Sequence, residues 1–380
     1  MSESEEELDA IVRTARGFVE THLWPVEVQV DRDDLISEDR MHDLRARARD
    51  LGLFAFNAPE ALGGPGLSHR AIARIEEVMG LTSVAMAEAF GHQPMSLLHV
   101  NDDQRDWLLD PVMRGDKTLA YALTEPGGGS DLSSIRTRAE RRGDGWILTG
   151  SKTFISHCTT ADYIIVLAAT HPDERLSRRL TTFIVPQGAP GLKLDAPFRK
   201  LGWHGYPIAG FSLEGVEVPD SHVLGEPGRG LSVIMSTINS DRRWSANRAN
   251  GMAMRLMELV LPHVRDRQVG GAALSDKQAI QFMLADCDVD LETSRLLAAR
   301  AAQAADDDAP DVAVWSSRAK LYATEALTRI ADRVLQIFGG AGFMADYPVE
   351  RIFRDARGLR IGEGTSEIQR LTIAKALIAG

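Results

Sequence analysis

The hydrophobic pattern changes period twice along the chain, and the two changes divide it into three parts. From Glu5 to about Arg114, apolar residues recur at three- and four-residue spacing. Leu8, Ile11, Val12, Ala15 and Val19 form one such series, Met41, Leu44 and Leu51 a second, and Ile72, Ile75, Val78 and Met79 a third. That spacing predicts helices with one apolar face. A Pro/Gly-rich connection, residues 56–66, interrupts them. From about Thr118 to Glu226 the apolar and β-branched runs are short and bounded by turn residues such as Arg142-Gly143-Asp144-Gly145. Residues 119–123, 145–148, 163–168 and 181–185 read as strands. After Gly228-Arg229-Gly230 the helical period returns and persists, longest over residues 278–305 and 311–338. The second stretch carries Ala319, Ala323, Leu327, Ile330 and Val334 on one face. No internal repeat is present. The pattern predicts an α+β chain with a helical region at 1–117, a β region at 118–228 and a second helical region at 229–380.

Composition removes several classes of function. A length of 380 residues exceeds the usual single domain, which agrees with three regions. A net charge of -11 argues against a nucleic-acid partner, because phosphate neutralisation needs a basic face. Basic clusters such as Arg141-Arg142 and Arg242-Arg243 suffice for one anionic ligand and no more. No apolar run has the length of a membrane span. The acidic start, Glu3 to Glu7, has neither the basic opening of a secretory signal nor an Arg-rich transit pattern, so a cytoplasmic location is expected. Two cysteines, Cys158 and Cys287, make no disulfide framework, and neither has the neighbours of a metal site.

Three local sequences carry candidate chemistry. In Arg360-Ile361-Gly362-Glu363-Gly364-Thr365-Ser366-Glu367 a single carboxylate sits between glycines, just before a helix start that Thr365 or Ser366 can cap. Such a turn suits a general base meeting a carbon acid in a confined pocket, although Gly-rich turns with an exposed acid are common. Thr124-Glu125-Pro126-Gly127-Gly128-Gly129-Ser130-Asp131 follows a predicted strand and lets backbone amides converge on an anionic or planar ligand. It matches neither a Rossmann fingerprint nor a Walker loop. Gly150 to Ser156, placed between two strands, presents Phe154 beside a hydroxyl.

Taken together, these motifs resemble those of the acyl-CoA dehydrogenase family over essentially the whole chain. The resemblance rests on Tyr121 to Asp131, Gly150 to Ser156, Lys200-Leu201-Gly202, Val216 to Pro219, Leu224-Gly225-Glu226, Gln278 with Phe282 to Asp286, Gln336 to Phe343, and Glu363 to Arg370, all in order. It implies a helical N-terminal domain, a central β-barrel or sandwich, and a C-terminal four-helix bundle, in a homotetramer or a dimer. It also implies FAD between the β-domain and the bundle. On that resemblance Tyr121, Leu123, Thr124, Gly129 and Ser130 hold the flavin edge and ribityl region. Phe154 stands where a tryptophan commonly packs on the flavin, and Ser156 where a threonine lies near N5. Arg267 and Gln278 reach the FAD of a neighbouring subunit, Gln336, Gly339 and Gly340 its ADP part, and Thr365, Ser366 and Glu367 its diphosphate.

The chemistry implied is α,β-dehydrogenation of an acyl thioester on CoA or an acyl-carrier protein. Glu363 takes the α-proton while the β-hydrogen leaves as hydride to flavin N5, and an electron-transfer flavoprotein accepts the electrons. Burial would raise the carboxylate pKa toward that of the activated substrate. Ser130, Asp241, Arg242 and Gly364 match positions along the bound acyl carrier. The same fold could instead run as an enoyl-thioester reductase, or as a flavin oxidase or monooxygenase. Asp241 is a rival base, because some relatives place theirs just before the Arg242 position; the expectation here is that it pairs with Arg242 or Arg243. Gly362 replaces a tyrosine usual beside the base, which would open the pocket. Trp203-His204-Gly205-Tyr206-Pro207 replaces a commoner Arg/Ser/Thr pattern, and Gly270 a phenylalanine. These departures point away from a plain straight-chain acyl group.

Overall fold

The computed structural model describes residues 3–379. The helical first region comprises α1 (Glu5–Phe18), α2 (Trp24–Asp33), α3 (Glu38–Asp50), α4 (His69–Met79), and the short α5 (Val84–Ala87), α6 (Asp102–Gln104) and α7 (Asp110–Arg114). Its helices begin where the sequence supplies caps: Ser4, Ser37, Ser68 and Ser83 each accept from a first-turn amide. Their apolar faces meet in a cluster containing Phe18, Leu44, Phe56, Ile75 and Phe90.

The middle region holds β1 (Leu119–Ala122), β2 (Arg138–Arg142), β3 (Gly145–Ser156), β4 (Tyr163–Ala169), the short α8 (Leu176–Arg179), β5 (Leu180–Pro186), β6 (Leu192–Leu194), β7 (Ile208–Pro219) and β8 (Val223–Leu224). All eight strands are hydrogen-bonded as one sheet, in the order β6-β7-β3-β2-β4-β5-β8, with β1 parallel to β4. Strands β2 and β4 meet only at Arg138 and Ala169, so the sheet folds over there. Trp146, Leu148, Phe211 and Val216 of one half then share a core with Ile164, Val166, Phe183 and Val185 of the other. The opposite faces of β4 and β5, through Ile165, Leu167 and Ile184, pack on helices. Covered on both sides, β4 and β5 are buried at almost every position, with Thr181 and Thr182 the polar members of β5, whereas β3 alternates over its first half. Gly150 to Ser156 lies within β3 rather than between strands and spans an irregularity between Lys152 and Ile155.

The last region contains α9 (Gly230–Asp266), the hairpin β9 (Gln268–Val269) and β10 (Ala272–Ala273), α10 (Gln278–Asp306), α11 (Val312–Phe338), α12 (Val349–Leu359) and α13 (Ser366–Ala379). Ala253, Leu256, Leu327, Ile330 and Val334 stand at its centre. Buried Glu27 of α2 clasps the two helical regions together. Arg255 of α9 donates to it at 2.8 Å, Arg351 of α12 at 2.6 Å, and Thr82 at 2.6 Å. Gly80 and Gly251 let α4 and α9 touch backbone to backbone, since a Cβ on either would strike the other helix. Together these contacts set the face of α9 that carries Asp241 against the N-terminal helices. Among the described residues no helix is long and apolar enough to cross a membrane, and no group of metal-binding side chains is found.

Candidate active site

Glu363 stands at the tip of the turn between α12 and α13 with left-handed backbone, φ 53°. A non-glycine residue is strained there, and strain of this kind gathers at functional sites. The turn is tied from behind. Lys320 Nζ on α11 donates to the Gly364 carbonyl at 2.7 Å, and Gln369 Nε2 donates to the same oxygen at 2.8 Å and to the Glu363 carbonyl at 3.2 Å. Thr365 is the cap of α13, its Oγ1 accepting from the Ile368 amide at 3.4 Å.

The Glu363 carboxylate itself makes no hydrogen bond or ion pair among the described residues. Burial raises its pKa, and the nearby positive charges of Lys320, Arg242 and His92 act against that rise. Lys320 is fully buried, and desolvation pushes its pKa down to about 8 although Glu363 pulls it up. Arg242 donates to Asn239 Oδ1 at 3.2 Å and Ser317 Oγ at 3.4 Å. Two helices, α9 and α11, thus point cations at a carboxylate that neither of them bonds.

Asp241 lies within charge range of Glu363 instead of pairing with an arginine. No ion pair joins it to Arg242 or Arg243 among the described residues. Burial, Glu363 and Glu76 all drive its pKa well above the usual carboxylate range, with Arg243 opposing. The expected pairing is therefore not formed; the residue turns inward because α9 presents that face to the Glu363 turn. Tyr121 also points inward, its hydroxyl 2.5 Å from Ser96 Oγ and within range of Asp241. Burial raises the Tyr121 pKa.

The loop after β1 is pinned from below. Buried Glu125 accepts from Lys152 Nζ at 2.9 Å, the Arg136 amide at 2.7 Å and the Thr137 amide at 2.9 Å, and Lys152 also donates to the Leu123 carbonyl at 3.0 Å. The Thr153 amide donates to the Thr124 carbonyl at 3.0 Å. Gly129 and Ser130 are consequently held at the surface. Phe154 is 66% exposed at φ 58° beside Phe198, so it is a surface aromatic in strained backbone and not a core residue. Ser156 faces Tyr206, whose surroundings also include Glu363.

The structure thereby brings together Tyr121, Ser156, Asp241, Arg242, Glu363 and Gly364. Arg267, Gln278, Gln336, Gly339 and Gly340 lie elsewhere, all exposed at one end of the bundle, where His263 stacks on Phe338 at 4.1 Å. Glu367 is exposed in the first turn of α13. One expectation fails: Gly362 does not open the pocket. A Cβ there would lie 3.6 Å from the Trp203 ring, which occupies that space and is anchored by its Nε1 donating to the Asp355 carbonyl at 2.9 Å. The two departures compensate each other.

Lys320, His92, Trp244, Arg248 and Gln369 were not singled out from sequence. Lys320 carried a faint signal, since it interrupts the apolar stripe Ala319, Ala323, Leu327 on its buried edge.

Three family models match in order: the acyl-CoA dehydrogenase N-terminal domain over residues 5–116, middle domain over 120–216 and C-terminal domain over 228–378. Human short-chain specific acyl-CoA dehydrogenase is 36% identical over 97% of this chain and 89% of its own length. A 3-(aryl)acrylate reductase of Clostridium sporogenes is 35% identical over 98% of this chain and 99% of its own. The butyryl-CoA dehydrogenase structure from Megasphaera elsdenii superposes with a TM-score of 0.90 at 28% identity, covering 100% of this chain and 99% of that one. Spanned in order by all three domains and joined to such relatives along almost its full length, this chain belongs to the acyl-CoA dehydrogenase family of FAD flavoproteins, oxidoreductases acting on CH–CH groups.

Proposed function

We propose that the protein binds FAD and catalyses α,β-dehydrogenation of an acyl thioester, carried by CoA or by an acyl-carrier protein, with Glu363 as the α-proton base. The observation that carries this reading is the unbonded Glu363 carboxylate, held in strained backbone and surrounded by the charges of Lys320, Arg242 and His92.

The residues present fit the cofactor. Exposed Phe154 and Phe198 offer a ring-sized apolar wall beside Ser156, and the loop of Tyr121, Leu123, Thr124, Gly129 and Ser130 is open where Gly127 has no neighbour. Thr365 and Glu367 at the start of α13 supply a hydroxyl and helix-end amides for phosphate oxygens. FAD, when bound, supplies a hydride acceptor for the β-hydrogen. The protein's own part is to position and to move a proton. The Glu363 amide is assigned to the thioester carbonyl, where it lowers the cost of developing enolate charge. The Glu363 carboxylate, lifted in pKa by burial, is a stronger base than a solvated one and takes the α-proton at Oε. The charges of Lys320 and Arg242 act against that rise. Asp241 is assigned to the wall of the acyl site beside the base.

Arg267, Gln278, Gln336, Gly339 and Gly340 are assigned to the cofactor of a neighbouring subunit in a homotetramer or dimer. Their exposure supports this, as do uncovered Phe282, Val289, Leu296, Leu377 and Ile378 on the same bundle. An electron-transfer flavoprotein is the proposed acceptor and the cytoplasm the proposed location. The reverse direction, an enoyl-thioester reductase, is the second reading, favoured by the acrylate reductase among the relatives.

Anaerobic titration of the flavin with acyl thioesters tests the proposal. Bleaching by a saturated thioester, absent in Glu363→Gln, is expected. Persistent bleaching in that variant would transfer the role to Asp241. Rapid reoxidation by oxygen would make the enzyme an oxidase or monooxygenase.

A further inference from the structure

Among the described residues Arg248 is the largest fully buried side chain, with 0% exposure, and its Nε and both terminal nitrogens have no hydrogen-bond partner there. A guanidinium carries five N–H donors, and burying a charge without partners is among the costliest arrangements a fold can hold. The acids nearest to it do not bond it. Glu76 is taken by Asn247 at 2.7 Å and His92 at 3.3 Å, Asp355 by the Trp203 amide at 2.5 Å, and Glu88 stands 4.0 Å from His157. Burial pushes the Arg248 pKa down, the charges of Glu88, Asp355 and Glu76 act against that fall, and its donors are left free.

Its position is that of the acyl end of the site. Asp241, Trp244 and Arg248 lie one and two helical turns apart on one stripe of α9. The guanidinium leans back over the Trp244 ring, 4.6 Å from its centroid, toward Asp241. It also lies within charge range of Tyr206, the residue beside Ser156 and Glu363. The stretch from Asp241 to the Trp244 level is about 4–5 Å along the helix at 1.5 Å per residue. Resting on the thioester reading of Glu363, we propose that Arg248 recognises a carboxylate at the far end of the acyl chain, so that the substrate is a short dicarboxylic acyl thioester with an acyl group of about four to six carbons. A planar carboxylate answers the guanidinium with two parallel bonds, which an alkyl terminus cannot do.

The test uses the holoenzyme with succinyl-, glutaryl- and adipyl-CoA against butyryl- and valeryl-CoA and the methyl ester of glutaryl-CoA. At least one dicarboxylic thioester should exceed every alkyl one by roughly 10-fold or more in kcat/KM, and the methyl ester should lose that gain. Arg248→Met should lose roughly 10²-fold on the acid and keep or improve turnover of butyryl-CoA, with Arg248→Lys intermediate. Flavin content and circular dichroism check folding, and the wild-type substrate ranking stands whether or not the variants fold. Equal or better turnover of alkyl thioesters by the wild type overturns the carboxylate assignment and leaves dehydrogenation intact. No bleaching by any saturated thioester overturns both.

Discussion

Two glutamates, Glu125 buried and Glu363 half-buried, each with a buried lysine beside it, meet opposite fates. Glu125 in the β region accepts from Lys152 and from two backbone amides, and those bonds with the Lys152 charge hold its pKa below the ordinary value despite burial. The Glu363 carboxylate in the bundle accepts nothing among the described residues, because Lys320 bonds the Gly364 carbonyl instead, and burial wins: its pKa rises. Both lysines are pushed down to about 8. The charges are alike; the hydrogen bonds decide which carboxylate is a strut and which is free to take a proton.

The largest break in that comparison is Glu363→Gln, which should lower the rate of anaerobic flavin reduction by roughly 10²–10⁴-fold, the usual worth of a general base. Stopped-flow absorbance measures it. The corresponding Glu125→Gln should act on stability, costing about 3–5 kcal/mol by leaving Lys152 buried and unpaired. Denaturant unfolding reads this, and a variant as stable as the parent would refute the strut. Next, Lys320→Met removes a cation from beside the base, so the acid limb of the kcat profile should move up by about one unit while Lys320→Arg stays near wild type. Asp241→Asn should have the smallest effect. Burial and Glu363 already hold Asp241 well above the usual carboxylate range, and the Glu363 pKa is set by burial against Lys320, Arg242 and His92, so the acid limb should stay in place with bleaching retained.

The pH dependence of stability sharpens the contrast further. A carboxylate with a raised folded pKa contributes stability below its unfolded value of 4.5 and loses it as pH rises through the folded value. Glu125, lowered, contributes above that value and loses it as pH falls through its depressed folded pKa. Glu363→Gln should therefore be at least as stable as wild type at pH 7 and lose that standing in acid, which thermal melts across pH would reveal.

Much of this was legible in the chain. The period changes and the apolar or β-branched runs are local signals, and they marked α10, α11, β4 and β5 to within a residue or two. Glu363 between glycines was legible as a turn, and the ordered motifs made it a base candidate. Trp203 filling the space beside Gly362 was not, because the two positions are far apart in sequence and meet only when the β region packs on α12. Nor was the inward turn of Asp241, since an acid next to two arginines reads as a surface pair until α4 and α9 are seen in backbone contact.

The sequence by itself determined the element types, their order, the family and a short list of site residues, because these follow from local periodicity and contiguous motifs. Only the tertiary structure decided which carboxylate is bonded and which is bare, and that Arg248 is buried with free donors. Those facts depend on desolvation and on partners brought from separate helices and strands, which no single stretch of chain encodes.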